Sequence, residues 1–229
     1  MANYCTTKLV FEGDKVELDE FEAMLRRLEA MKEEDFPVNN VSWGSQWLGF
    51  IVNEFGEDYR DFNCKGCWYD LERRGDTVLA LTTESAWSRC DDVLSLVTDK
   101  WPSLNYFYYA EEPNSDYFET NDAEGKYFPQ RFFMIGTVPV KDENDQMSFV
   151  DFDEYLNTEQ DVLDFVGHKL HHPIESLDGI EAWNEELEAL NEEHEDDEEW
   201  EECYIYINKI DEADNESYFS FDDIEPVVG

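Results

Sequence analysis

Apolar positions in this chain repeat at two periods, and the switches between them set out its elements. Residues 3–11 alternate and then run apolar through Leu9, Val10 and Phe11, a strand ended by Gly13. Leu18, Phe21, Leu25, Leu28 and Met31, with Met24 beside them, recur at three- and four-residue steps. That spacing predicts an amphipathic helix laying one face on a sheet. Pro37 bars its continuation. A shorter helical stripe follows on Trp43, Trp47, Phe50, Ile51 and Phe55, with Gly56 as its C-terminal stop. From Cys67 to Glu112 the pattern reads strand, tight turn, strand, helix, strand. Trp68 to Glu72 leads into Arg73-Arg74-Gly75-Asp76, which turns the chain into Thr77 to Thr83. Residues of high β-propensity flanking a glycine-centred turn predict a hairpin. Val93, Leu94, Leu96, Val97 and Trp101 then mark a helix stopped by Pro102, and Leu104 to Ala110 a further strand.

Beyond this point the rhythm is weaker. Tyr117-Phe118-Glu119-Thr120 and Gln130 to Val140 are strand candidates that extend the sheet or form a second hairpin. Phe149, Phe152 and Tyr155 are aromatic anchors in an acidic segment. Thr158 can cap a helix carrying Val162, Leu163, Phe165, Val166 and Leu170, which Pro173 breaks. Ile180, Trp183, Leu187 and Leu190 mark a long helix that fades into Glu192-Glu193-His194-Glu195-Asp196-Asp197-Glu198-Glu199. After Trp200, Cys203 to Ile207 alternates as a strand with one buried face, and Tyr218-Phe219-Ser220-Phe221 opens an acidic, aromatic tail that could dock.

The element order β-α-(α)-β-β-α-β predicts an α+β fold, a ferredoxin-like antiparallel sheet with helices on one face. An acidic α/β C-terminal extension follows it. Charge places the boundary: residues 1–141 carry 27 acidic and 14 basic residues, and residues 142–229 carry 31 and 2. The expected division is therefore a ferredoxin-like domain over 1–141 and an acidic helical extension with one returning strand over 142–229. The whole chain has a formal charge of −42, yet 41% of its residues are hydrophobic, enough to build a core against that repulsion. Such a surface repels nucleic acid and anionic membrane and attracts basic proteins. The first eight residues lack a basic segment followed by an apolar run, and no 18-residue apolar stretch occurs. Five irregularly spaced cysteines fit reduced thiols, so a cytoplasmic protein is expected.

Several short motifs align in order over the first half of the chain. They are Ala2-Asn3-Tyr4-Cys5 with Leu9 and Gly13, the Trp68 strand, Ser85-Ala86-Trp87-Ser88, Trp101-Pro102-Ser103-Leu104, and Tyr109-Ala110-Glu111-Glu112. On these the chain resembles the YubB-type ferredoxin-like domain family of plasmids, phages and integrated elements. The resemblance implies that fold and a mobile-element origin, and it carries over no catalytic residue. Cys64-Lys65-Gly66-Cys67 and Arg89-Cys90 depart from the family pattern, so no ligand site is carried over there.

The densest charge is at Glu185 to Glu202, twelve acidic residues in eighteen: Glu185, Glu186, Glu188, Glu192, Glu193, Glu195, Asp196, Asp197, Glu198, Glu199, Glu201 and Glu202. If Asp178 to Glu199 were one helix it would span roughly 33 Å, close to the ~34 Å of one duplex turn. Carboxylates held along it would present the charge that lysines and arginines of a basic nucleic-acid-binding protein normally meet on DNA. These twelve residues are the expected partner-binding set of a non-enzymatic DNA mimic and inhibitor. A solvated helix face is the plainer reading; the alternative functions are a ferredoxin-like protein-interaction module without mimicry and, after it, a thiol- or zinc-dependent protein. Cys64 and Cys67 have the spacing of a redox pair or half a zinc site but lack a second pair, so packed thiols are expected. His168, His171 and His172 could offer two imidazoles to one metal, without the glutamate of a His-Glu-x-x-His motif. Asp142-Glu143-Asn144-Asp145 and Asp211-Glu212-Ala213-Asp214 lack the ligand register of a calcium loop. No cofactor, metal or catalytic residue is expected.

Overall fold

The computed structural model describes residues 3–38, 42–112, 117–141, 147–195, 197 and 200–212. It is an α+β protein with two antiparallel sheets and five α-helices among those residues. The chain divides into two compact units, one built on residues up to Ala123 with Glu212 returning to it, the other on Glu124–Asp211.

In the first unit β1 (Tyr4–Glu12), α1 (Lys15–Glu29) and α2 (Leu48–Glu54) precede the hairpin β2 (Gly66–Arg73) and β3 (Val78–Ala86). Next come α3 (Asp91–Lys100), β4 (Asn105–Glu112) and β5 (Tyr117–Thr120). The strand order is β2-β3-β1-β4-β5, with the two-residue β9 (Asp211–Glu212) at the far edge. The alternation of β1 puts Leu9 and Phe11 on the helix-facing side, where they meet Leu18, Phe21 and Leu25 of α1, Phe50 and Ile51 of α2, and Val93 and Val97 of α3. Fully burying side chains of this size contributes about 1.5–3 kcal/mol each. Trp47 caps α2 instead of lying inside it, and its indole N–H donates 2.8 Å to the Cys64 carbonyl. The turn between β2 and β3 requires Gly75, whose φ is 75°, and the Arg74 N–H donates 2.9 Å to Val78 to close it. A bulge between Tyr69 and Glu72, with Asp70 at φ 54°, offsets the pairing of the two strands.

The second unit consists of β6 (Phe132–Lys141), β7 (Met147–Leu156), α4 (Glu159–Lys169), α5 (Leu177–Glu193) and β8 (Tyr204–Lys209). Its sheet order is β7-β6-β8, antiparallel throughout. The boundary read from charge at 141/142 falls inside the β6–β7 hairpin, because β6 is the central strand of this sheet. The unit is thus a sheet covered by two helices, where a helical extension with one returning strand was expected. The residues predicted only as aromatic anchors, Phe149, Phe152 and Tyr155, lie on β7. The tail at 218–221 and the acidic run 142–145 fall outside the described residues.

One face of this sheet is the core: Phe132, Met134, Val138, Phe152 and Ile205 pack against Val162, Leu163 and Val166 of α4 and Ile180 and Leu187 of α5. Helix α4 starts at a capping box, Thr158 accepting from the Asp161 N–H while the Asp161 carboxylate accepts from the Thr158 N–H. Gly136 lets the strands approach: a Cβ there would stand 2.4 Å from the Tyr204 carbonyl oxygen and 2.6 Å from the Phe152 ring. Gly136→Ala is therefore expected to destabilise this unit by about 1–3 kcal/mol. Hydrogen exchange would read it as lost protection in β6 and α4, with protection in β1 and β3 unchanged.

Candidate partner interface

Helix α5 is the element on which the acidic residues gather. Ser176 caps it, its hydroxyl accepting 3.2 Å from the Gly179 N–H. Ile180 and Leu187, two turns apart, face the core, flanked by half-buried Trp183, Asn184, Leu190 and Asn191. At about 100° per residue, Glu181, Glu185, Glu188 and Glu192 form one row on the solvent side, and Glu186 and Glu193 a second. Exposed Ala182 and Ala189 lie between the two rows. From Glu181 to Glu192 the first row covers roughly 16 Å, a carboxylate every ~5 Å or so.

The helix does not continue to Glu199. It ends at Glu193 after 17 residues, a length of about 25 Å. Two interactions end it. The His194 ring stacks on Trp200, centroids 4.0 Å apart and planes 6° from parallel. The Trp200 indole N–H donates 3.0 Å to Asn191 Oδ1, which also accepts 2.9 Å from the Cys203 N–H, while Asn191 Nδ2 donates 2.8 Å to the Cys203 carbonyl. Two helical turns earlier, Asn184 repeats the device, donating 2.6 Å to the Ile205 carbonyl and accepting 2.8 Å from its N–H. The chain must turn back after Glu193 to bring β8 against both the sheet and these amides.

Of the twelve carboxylates expected to meet a partner, Glu185, Glu186, Glu188, Glu192, Glu193, Glu195, Asp197, Glu201 and Glu202 are all exposed. The first five lie on α5, and the other four follow it on the turn and the approach to β8. Asp196, Glu198 and Glu199 lie outside the described residues. Asp197 stands 3.6 Å from His194 Nδ1. Among the described residues no lysine or arginine pairs with a carboxylate of α5. The first unit differs: Arg26 pairs with Glu22, Arg27 with Glu54, Arg73 with Asp19, and Arg89 with Asp91 and Glu119. Glu181 belongs to the row and was missed; its i, i+4, i+7, i+11 spacing with Glu185, Glu188 and Glu192 was the signal.

The first unit holds one buried polar network that sequence reasoning also missed. The chain leaves β3 through a bend at Trp87, φ 73°, and Arg89 turns back so that its guanidinium lies 3.6 Å above the Tyr108 ring. It donates to Asp91, to Glu119 at 3.0 Å and to the Tyr117 hydroxyl at 3.3 Å. Tyr108 and Tyr117 both donate to Glu119. Burial alone would raise the Glu119 carboxyl, but the Tyr108 hydroxyl, the Arg89 charge and the Tyr117 hydroxyl outweigh it and hold it below the usual carboxylate range. Burial pushes both tyrosine hydroxyls up, so they stay protonated donors. The network is saturated with internal partners and reads as structural.

The remaining motifs do not assemble. Cys64 packs in the first core, whereas Cys67 lies on β2 between Gly66 and Trp68, which face the core, and so points to the opposite side. Burial pushes Cys64 up to about 11, Cys90 to about 12 and Cys203 to about 11, and raises Cys5 and Cys67. None is a ready thiolate at neutral pH. His168 and His171 have ring centroids 6.4 Å apart, and His172 packs by Trp183. Among the described residues no three metal-binding side chains converge, and no helix is long and apolar enough to cross a membrane.

The sign of the Glu119 shift gives a pH test. Because its folded pKa is depressed, its contribution is complete above the unfolded value of about 4.3 and drains away as pH falls through the lower folded value. Glu119→Gln should lower the unfolding midpoint at pH 7, and the gap from the parent should close in acid. A gap independent of pH would contradict this. No family model, curated protein or solved structure matches this chain.

Proposed function

We propose that the protein is a non-enzymatic, acidic interaction protein that occupies the nucleic-acid-binding surface of a basic protein, as a DNA mimic does. The observation that carries this reading is the uneven pairing of charge: the arginines of the first unit are matched by carboxylates, while the α5 carboxylates have no basic partner among the described residues. Uncompensated like charges at ~5 Å spacing repel one another, and a cationic surface relieves that repulsion on binding. The shorter helix narrows the reading. At about 25 Å, α5 covers less than one duplex turn, so the copied feature is a single strand's line of phosphates, continued by Glu195, Asp197, Glu201 and Glu202.

The rest of the reading fits together with this. Five protonated thiols and a fully engaged Arg89 favour a binding role over nucleophilic chemistry. The order β2-β3-β1-β4 with helical crossovers supports a ferredoxin-like first unit, and with it the resemblance to YubB-type domains of mobile elements. In this proposal the protein acts in the cytoplasm as an inhibitor and contacts neither nucleic acid nor membrane directly.

The test is displacement of a fluorescent duplex from a basic DNA-binding protein. The parent should release the duplex, with affinity falling at least about tenfold between about 50 and 200 mM salt. Replacing Glu185, Glu186, Glu188, Glu192, Glu193 and Glu195 together by Gln should abolish release while leaving the circular dichroism spectrum unchanged. Release that survives these six changes would overturn the proposal. Salt-independent binding would point to the interaction module without mimicry.

A further inference from the structure

The helix-free face of the second sheet carries a different surface. Register places Asp151, Thr137 and Tyr204 side by side across β7, β6 and β8, and Asp153, Ile135 and Tyr206 in the next parallel row. Directly opposed residues in an antiparallel sheet project to the same side, so all six share a face, the one away from Met134, Phe152 and Ile205. Both aspartates are exposed, and Tyr204 and Tyr206 remain 41% and 40% exposed, high for aromatic side chains with a core on the other side of their sheet. Together with Gly136 and Phe152, five of these residues line a shallow depression of about 580 Å³.

The two wings differ in kind but attract the same ligand. On β7 stand two carboxylates, one of them fixed by the Thr137 hydroxyl donating 2.9 Å to Asp151 Oδ1. On β8 stand two phenol rings, and between the wings lies a floor of Ile135 and Thr137. Outer strands of a three-stranded sheet are about 10 Å apart, which leaves room for a flat cation to lie over the floor with a carboxylate on one side and a ring on the other. A guanidinium meets these requirements better than an ammonium: it is planar, stacks on aromatic faces and offers a fork of donors to a carboxylate. The two rows are about 6.8 Å apart, two residues along a strand, which is also the separation of alternate side chains in an extended peptide.

We infer that this face is a docking site for an extended, arginine-rich segment of a partner protein, with arginines at alternate positions seated in the Asp151–Tyr204 and Asp153–Tyr206 rows. The site stands independently of the α5 carboxylates, which lie beyond the helices on the other side of the sheet. It selects by side-chain shape as well as by charge.

The probe is a capped Gly-Arg-Gly-Arg-Gly peptide, with Gly-Lys-Gly-Lys-Gly as its control, titrated into the isotope-labelled full-length protein at about 150 mM salt. The arginine peptide should shift the amide signals of Ile135, Gly136 and Tyr206 and bind roughly tenfold more tightly than the lysine peptide. Tyr204→Ala with Tyr206→Ala should remove the preference for arginine. Asp151→Asn with Asp153→Asn should weaken both peptides by a similar factor. The α5 glutamine variant should keep the arginine preference, which separates failure here from failure of the mimicry proposal. Equal binding of the two peptides, or shifts confined to α5, would overturn the inference. Exposed side chains are changed in each variant, and unchanged amide signals in α4 report that the unit remains folded.

Discussion

Repulsion among carboxylates is the constraint under which this protein folds, and each unit meets it differently. In the first, cations are distributed where carboxylates approach the helices: Arg26 pairs with Glu22 within α1, and Arg27–Glu54 and Arg73–Asp19 tie α1 to its neighbours. Exposed pairs of this kind contribute little individually, about 0–1 kcal/mol, but they keep a carboxylate from facing only its own kind. In the second unit cations are too scarce for that. Its carboxylates are sorted by geometry, many onto the outward side of α4 and α5 and others, such as Asp151 and Asp153, onto the helix-free face of the sheet, and the apolar side of each helix is left for Val162, Val166, Ile180 and Leu187.

Around Arg89 the buried polar groups answer one another. Arg89 and Glu119 lie at the margin of the first core, and burying either alone would cost several kcal/mol. Two tyrosine hydroxyls and Asp91 complete their hydrogen bonds, and the Tyr108 ring covers the guanidinium plane. The same economy operates at α5, where Asn184 and Asn191 answer the outward backbone groups of Ile205 and Cys203. A helix rich in glutamate is thus joined to the sheet by neutral amides as well as by its leucine and isoleucine side chains.

The first half of the fold was legible because its signals are local. Leu18-Phe21-Leu25-Leu28 repeats at helical spacing, and Arg73-Arg74-Gly75-Asp76 sits between two alternating runs. The second half was harder to read for a physical reason. In β7 Val150-Asp151-Phe152-Asp153 alternates, but Glu154 falls on the helix side and Phe149 and Tyr155 on the outward side, so the pattern breaks at both ends and the strand reads only as an acidic segment with aromatic anchors. The helix end at Glu193 was illegible because a distant residue, Trp200, supplies the stop, while the local sequence still favours helix. Charge composition suggested a boundary at 141/142, but hairpins are joined by backbone pairing, and β6 belongs with β7. The α5 carboxylates could be read from spacing alone. The Arg89 network could not, since Tyr108, Tyr117 and Glu119 meet it only after β4 and β5 have paired.

The paired asparagines of α5 have a consequence for how this sheet could grow. Backbone groups along the rim of a sheet ordinarily invite another strand, and here the rim at Cys203 and Ile205 is already satisfied by side-chain amides that imitate a neighbouring chain. Lateral addition is left the opposite rim, along β7, where Asp151, Asp153 and Glu154 would meet the same three charges in any identical copy. Self-templating is thereby discouraged at one border by occupancy and at the other by repulsion, and a strand bearing positive charge is the kind of newcomer the second border would admit.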